Sequence, residues 1–146
     1  MSKTYVSVAL RQLVRTRAKS LCEYCLIREE DTYFRCQVDH IISEKHGGIT
    51  HENNLAYACS YCNRNKGSDI GSIVWQPQQF SRFFNPRSDL WKDHFRLNDI
   101  RIVSLISIGE VTSRILDFNH VDRLIERQEL AALGYYPSSA ALVLIS

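Results

Sequence analysis

Two Cys-x-x-Cys knuckles, Cys22 to Cys25 and Cys59 to Cys62, constrain this chain more than any other feature. Identical spacing lets the two pairs supply four thiolates to one tetrahedral zinc ion, so a metal can draw the intervening residues into a closed loop. Four sulfurs leave no open coordination position. Zinc held this way stabilises the fold and does not activate water. Cys36, the fifth cysteine, has no partner at ligand spacing and reads as a small buried core residue.

The sequence starts with MSKTYVSVALRQ, which lacks the apolar stretch of a signal peptide, and no run approaches the roughly 18 apolar residues of a membrane helix. A soluble, cytoplasmic protein with reduced thiols is expected. The formal net charge is +2, and four zinc-bound thiolates would cancel it. Attraction to phosphate must then come from locally placed cations and not from a global field. A chain of 146 residues fits one compact unit. Residues 1–70 are expected to form the zinc-bearing core and 71–146 an accessory extension packed on it.

Leu10, Leu13, Val14, Ala18 and Leu21 recur at helical spacing among Arg11, Arg15, Arg17 and Lys19, which predicts an amphipathic helix over 6–21. Residues 33–42 read as a strand, 43–54 as an irregular loop around Gly47 and Gly48, 54–58 as a short second strand, and 59–66 as a helix stopped near Gly67. Farther along, 76–87 has no periodicity and reads as an ordered connection, while 101–108 fits a buried strand or a helix equally well. Val111, Ile115, Leu116, Val121, Leu124, Ile125 and Leu133 continue at helical spacing, with an N-cap signal at Asn119 and Asp122 and a stop at Gly134. The predicted class is α+β: a small ββα finger stapled by a four-cysteine zinc, with an N-terminal helix and a mainly helical C-terminal extension.

A purely structural zinc ribbon needs only turns and strands between its knuckles. This one carries Asp39-His40 before the loop, Asn54-Leu55 after it, and Asn63 beside Cys62. In the order CEYC, VDHIISEKHGG, NNLAYACSYCNRNKG, these residues resemble the HNH endonuclease superfamily over about Arg17 to Gly67. The resemblance implies a ββα-metal finger that hydrolyses phosphodiester bonds, with nucleic acid, expected to be double-stranded DNA, as the partner.

The residue types suit that chemistry. Hydrolysis needs a nucleophilic water, stabilisation of the phosphoryl oxygens and support for the departing 3′ oxygen. A neutral imidazole accepts a proton near neutral pH, which makes His40 the candidate general base. Asp39 offers hard oxygen to a divalent cation, magnesium or manganese, and the amide oxygen of Asn63 completes a two-ligand site that leaves room for water and phosphate. By resemblance, Asn54 takes the middle position and orients the strand and loop around His40. The family name implies a histidine at the third position, where this sequence has Asn63, which leaves the preferred cation open. Arg64 and Lys66 are candidate phosphate contacts on the helix surface. His46 is a rival base, and His51, His94 and His120 read as surface or core residues.

In the extension, Trp75, Phe80, Phe83, Phe84, Trp91 and Phe95 alternate with Arg82, Arg87, Lys92 and Arg96. A second layer of core is the favoured reading and a nucleic-acid surface the competing one. The stretch FNPRSDLWKDHF is also similar to a trailing segment of some small HNH proteins. Against the nuclease reading stands a different class: a zinc module that binds nucleic acid or protein without turnover. A third reading keeps catalysis and moves the substrate to RNA or branched DNA.

Overall fold

Helix α1 (Val8–Arg17) opens the chain, capped by the Ser7 hydroxyl, which accepts the Leu10 N–H. A computed structural model describes residues 5–146. The helix is shorter than the apolar pattern suggests because Lys19 and Ser20 take left-handed backbone angles and turn the chain into the first knuckle. Val14 and Ala18 face the core.

Strand β1 (Gln37–His40) pairs antiparallel with β2 (Leu55–Ala58), with Asp39 opposite Ala56 and His40 opposite Leu55. Helix α2 (Ser60–Lys66) follows, capped by the Cys59 sulfur and ended by Gly67 at φ 53°. This is the expected ββα unit. The first strand is shorter than the predicted 33–42, since the backbone before it bonds side chains and not a ladder: the Phe34 carbonyl accepts from the Thr32 hydroxyl, and the Cys36 N–H donates to the Glu29 carboxylate at 3.0 Å.

The extension begins with two hairpins: β3 (Gly71–Trp75) with β4 (Gln78–Arg82), and β5 (Phe95–Asn98) with β6 (Arg101–Ser104), separated by a short helix α3 (Trp91–His94). The stretch 76–87, read as a connection without periodicity, therefore contains strand β4, and 101–108 resolves into a strand followed by the start of α4 (Ser107–Leu116). Helices α5 (Val121–Ala132) and α6 (Ser139–Ile145) close the chain. Phe83, Phe84, Trp91 and Phe95 are core, whereas Trp75 and Phe80 stand exposed on the first hairpin. One apolar cluster joins the finger to the extension, from Val14 and Tyr24 through Trp91 and Phe95 to Phe118 and Ala141. Among the described residues, no helix is long and apolar enough to cross a membrane.

Helix α5 reverses the face expected from its sequence. Val121, Ile125 and Leu133 are more than half exposed, and the arginines between them, Arg123 and Arg127, are buried at 1% and 0%. Their polar contacts account for the inversion. The Arg127 guanidinium donates to the Ile100 carbonyl at 2.7 Å and to Asn119 Oδ1 at 3.0 Å. Asn119 is thereby committed to β6, whose Ile102 backbone it also bonds, and the N-cap falls one residue later, on His120.

Candidate active site and metal centre

The first knuckle is a tight turn in which the Cys22 N–H donates to the Ile27 carbonyl and Leu26 adopts φ 67°. The second knuckle is the start of α2. In each, the second cysteine's backbone N–H points at the first cysteine's sulfur, Cys25 to Cys22 at 3.5 Å and Cys62 to Cys59 at 3.4 Å. All four sulfurs are buried and lie within 4.8 Å of one another, with Cys25 and Cys59 3.7 Å apart. A tetrahedral zinc with bonds of about 2.3 Å sets sulfurs about 3.8 Å apart, so the thiols fit the ion. Cys36 lies outside this group.

Four thiolates on one zinc carry a net double negative charge, and the extension supplies the counter-charge. An Arg123 guanidinium nitrogen lies 3.0 Å from the Cys25 sulfur and 3.7 Å from that of Cys59, and a second lies 3.9 Å from Cys62. Burial alone would push the Cys25 thiol up; its three neighbouring thiols and Arg123 outweigh burial and hold it well below the ordinary thiol range. Further contacts seat the extension on the same knuckle: the Trp91 indole donates to the Tyr24 carbonyl and the Tyr136 hydroxyl to the Cys25 carbonyl, both at 2.8 Å. Of these residues the sequence marks only Trp91, as core; nothing in it singles out Arg123 or Tyr136. Arg123 lies 98 positions from Cys25, and no local pattern marks a contact at that range.

Beside the tetrad, a cleft of about 350 Å³ opens between β1 and α2, lined by Asp39, His40, Glu44, Asn63 and, from α1, Arg11. His40 is 6% exposed at the end of β1. Its Nε2 lies 2.8 Å from the Thr50 hydroxyl and 3.6 Å from a Glu44 carboxylate oxygen, and its Nδ1 has no hydrogen-bond partner among the described residues. Asn54 joins the strand end to the following loop: its side-chain oxygen accepts the Ile42 N–H, and its amide donates to the carbonyls of Ile42 and Ile49, each at 2.9 Å. Gly48 packs into the same corner so closely that an added Cβ would sit 1.6 Å from the Ile42 carbonyl oxygen, which leaves no room for any other residue. His46 is exposed and outside the cleft lining.

Asp39 is 4% exposed, and each of its carboxylate oxygens accepts one bond, from the Tyr24 hydroxyl at 2.8 Å and from Lys66 Nζ at 3.2 Å. Burial raises its pKa above the usual 3.8, and Lys66 and Tyr24 pull against that rise. Tyr24 is itself pushed well above 10 by burial and by Asp39, so it stays protonated and donates. The expectation that Lys66 presents a surface charge to phosphate is corrected here. Its side chain is 1% exposed, and Nζ also bonds the His40 carbonyl at 2.9 Å, because α2 packs its last turn directly on β1. Arg64 does reach the surface and stacks over Tyr61 at 4.9 Å. The Asn63 amide donates to Gln37 and shares the cleft with Asp39.

Two buried donors thus hold Asp39, one on the first knuckle and one at the end of the helix that starts with the second. The HNH endonuclease family model matches residues 22–69. The matched segment runs from the first knuckle to just past α2 and includes Asp39, His40, Asn54 and Asn63. No curated protein and no solved structure matches the chain.

Proposed function

We propose that the protein is a metal-dependent endonuclease that hydrolyses phosphodiester bonds in DNA, with duplex DNA as the expected substrate, through the cleft between β1 and α2. The observation that carries this reading is the meeting of His40, Asp39 and Asn63 in one open cleft beside a closed, fully buried thiol tetrad.

The donor set suits a magnesium or manganese ion. Among the described residues no other group of three or more His, Cys, Asp or Glu converges as the cysteines do, but a hard ion that keeps several waters needs only one or two protein oxygens. Asp39 and Asn63 supply a carboxylate and an amide, and Tyr24 and Lys66 leave each Asp39 oxygen one free lone pair. When bound there, a divalent ion stabilises charge on the phosphoryl and leaving oxygens. Glu44 and Thr50 beside Nε2 favour the proton on that nitrogen, which assigns the lone pair, and the role of base toward water, to Nδ1 of His40. Asn54 keeps the ring's strand and loop in register, and exposed Arg64 and Arg11 are the cations available to substrate phosphates. Zinc at the tetrad is structural, and the molecule works in the cytoplasm, where its thiols stay reduced.

One observation favours the rival of a non-catalytic zinc module: the Lys66 ammonium already offsets the Asp39 charge. Zinc-loaded protein incubated with supercoiled plasmid, with and without magnesium or manganese, separates the two. Nicking that requires the added ion and disappears in Asp39→Asn is expected. No nicking under any ion would leave the binding module as the account.

A further inference from the structure

A second groove, of about 550 Å³, lies against the cleft and shares Gln37, Asn63 and Gly67 with it as a common wall. Its rim carries Tyr33 and Phe34, which are 92% and 63% exposed. Their rings meet edge to face at 4.9 Å and pack on nothing else aromatic. Single exposed apolar residues are ordinary, but two adjacent rings cost more to leave in water. The loop that carries them is anchored on both sides: the Thr32 hydroxyl donates to the Glu29 carbonyl at 2.7 Å, and the Cys36 N–H to the Glu29 carboxylate. The rings are therefore held out by a fixed support.

Two arginines stand where a phosphate next to the groove would pass. Arg35 is exposed next to the pair, and Arg64 lines the groove. Glu126, the one carboxylate among the groove's described lining residues, and the tetrad's Cys59 both lie against Arg123, at 3.7 Å each. Flat apolar faces flanked by cations, in a groove that shares a wall with the proposed catalytic cleft, match one chemistry: a nucleobase that has left its stack while its phosphate stays in the cleft.

We propose that this groove receives an unpaired base adjacent to the cleaved phosphate, stacked on Tyr33 and Phe34, so that the preferred substrate is a strand or duplex with an unpaired nucleotide at the cut. The proposal rests on the nuclease reading of the cleft. The test uses binding first. Zinc-loaded protein without added magnesium is titrated into three DNA oligonucleotides carrying 2-aminopurine: a perfect duplex, a duplex with that base bulged, and a single strand. Bulged and single-stranded probes should bind with quenched fluorescence. Tyr33→Ala with Phe34→Ala should weaken them about 10-fold or more while changing the perfect duplex less than about 2-fold. Tyr33→Phe should retain the quench, and the melting temperatures should match because both rings are exposed. Equal weakening of all three probes, or no quench with wild type, overturns the proposal. Cleavage with magnesium, measured next on the same oligonucleotides, keeps the two readings apart. Wild type that stacks the base but cuts nothing defeats the nuclease and leaves the groove standing. Wild type and double variant that cut bulged and perfect duplexes alike defeat the groove and leave the nuclease standing.

Discussion

The thiol tetrad and the cleft are carried by the same elements and meet opposite requirements. At the tetrad all four ligands are buried, every coordination position of a zinc would be filled, and a buried arginine from the extension lies against the sulfurs. At the cleft, Asp39 and His40 are almost as buried from behind, yet both line a cavity open to solvent. The first arrangement suits permanence, and the second suits binding something that arrives and leaves. The two are joined through Asp39, whose donors Tyr24 and Lys66 sit on the first knuckle and on the helix that begins at the second. A closed centre can in this way fix the geometry of an open one without taking part in its chemistry.

The strongest way to break that division is to remove the staple. Cys59→Ser, or zinc extraction by a chelator, is expected to abolish the cooperative thermal transition, since structural zinc sites contribute on the order of 10 kcal/mol to folding. A chelated protein that still melts cooperatively would show that the apolar core suffices alone. Next in size is Arg123→Met, which leaves the thiolate charge without its buried partner. A loss of about 3 kcal/mol in urea unfolding is expected, with faster zinc release to a chromogenic chelator, and Arg123→Lys should fall between.

Smaller effects sharpen the cleft's side of the comparison. Tyr24→Phe removes one donor from Asp39 while keeping the packing of the ring. It should weaken manganese binding about 10-fold, read by electron paramagnetic resonance, with little change in zinc content. The pH dependence of stability supplies the smallest effect and a definite sign. Folding raises the Asp39 pKa above 3.8, chiefly through burial, so the folded state favours the protonated form. Its contribution is present below pH 3.8 and is lost as pH rises through the folded value. The stability of wild type relative to Asp39→Asn should therefore fall as pH increases from about 4 through that value, which melting curves of both proteins across pH would reveal. A rising difference would mean that Lys66 and Tyr24 outweigh burial.

What could be read from the sequence divides along the range of the contacts. The knuckles, Asp39-His40, Asn54 and the helix stop at Gly67 are local patterns, and the ββα unit they predict is present with its strands trimmed. The roles of Arg123, Arg127 and Trp91 depend on partners far along the chain, and a basic residue in a helical pattern is ordinarily solvated. The periodicity of α5 points to the wrong face for that reason: its arginines bury because a thiol cluster and an asparagine await them, while Val121 and Ile125 stay outside. Lys66 misled in the same way, placed in the last turn of a short helix where a cation normally meets water but here meets Asp39 and the His40 carbonyl. The hairpin at 71–82 was hidden because its second strand is exposed or half-exposed throughout and Pro77 sits in its turn, which removes the alternation that marks a strand.

The most direct measurement is single-turnover cleavage of end-labelled DNA by wild type and His40→Ala, each shown to hold equal zinc and to melt within a few degrees of the other. A loss of about 100-fold or more in magnesium is predicted, the scale of a missing general base. Equal rates from the two proteins would place the chemistry elsewhere and contradict the account.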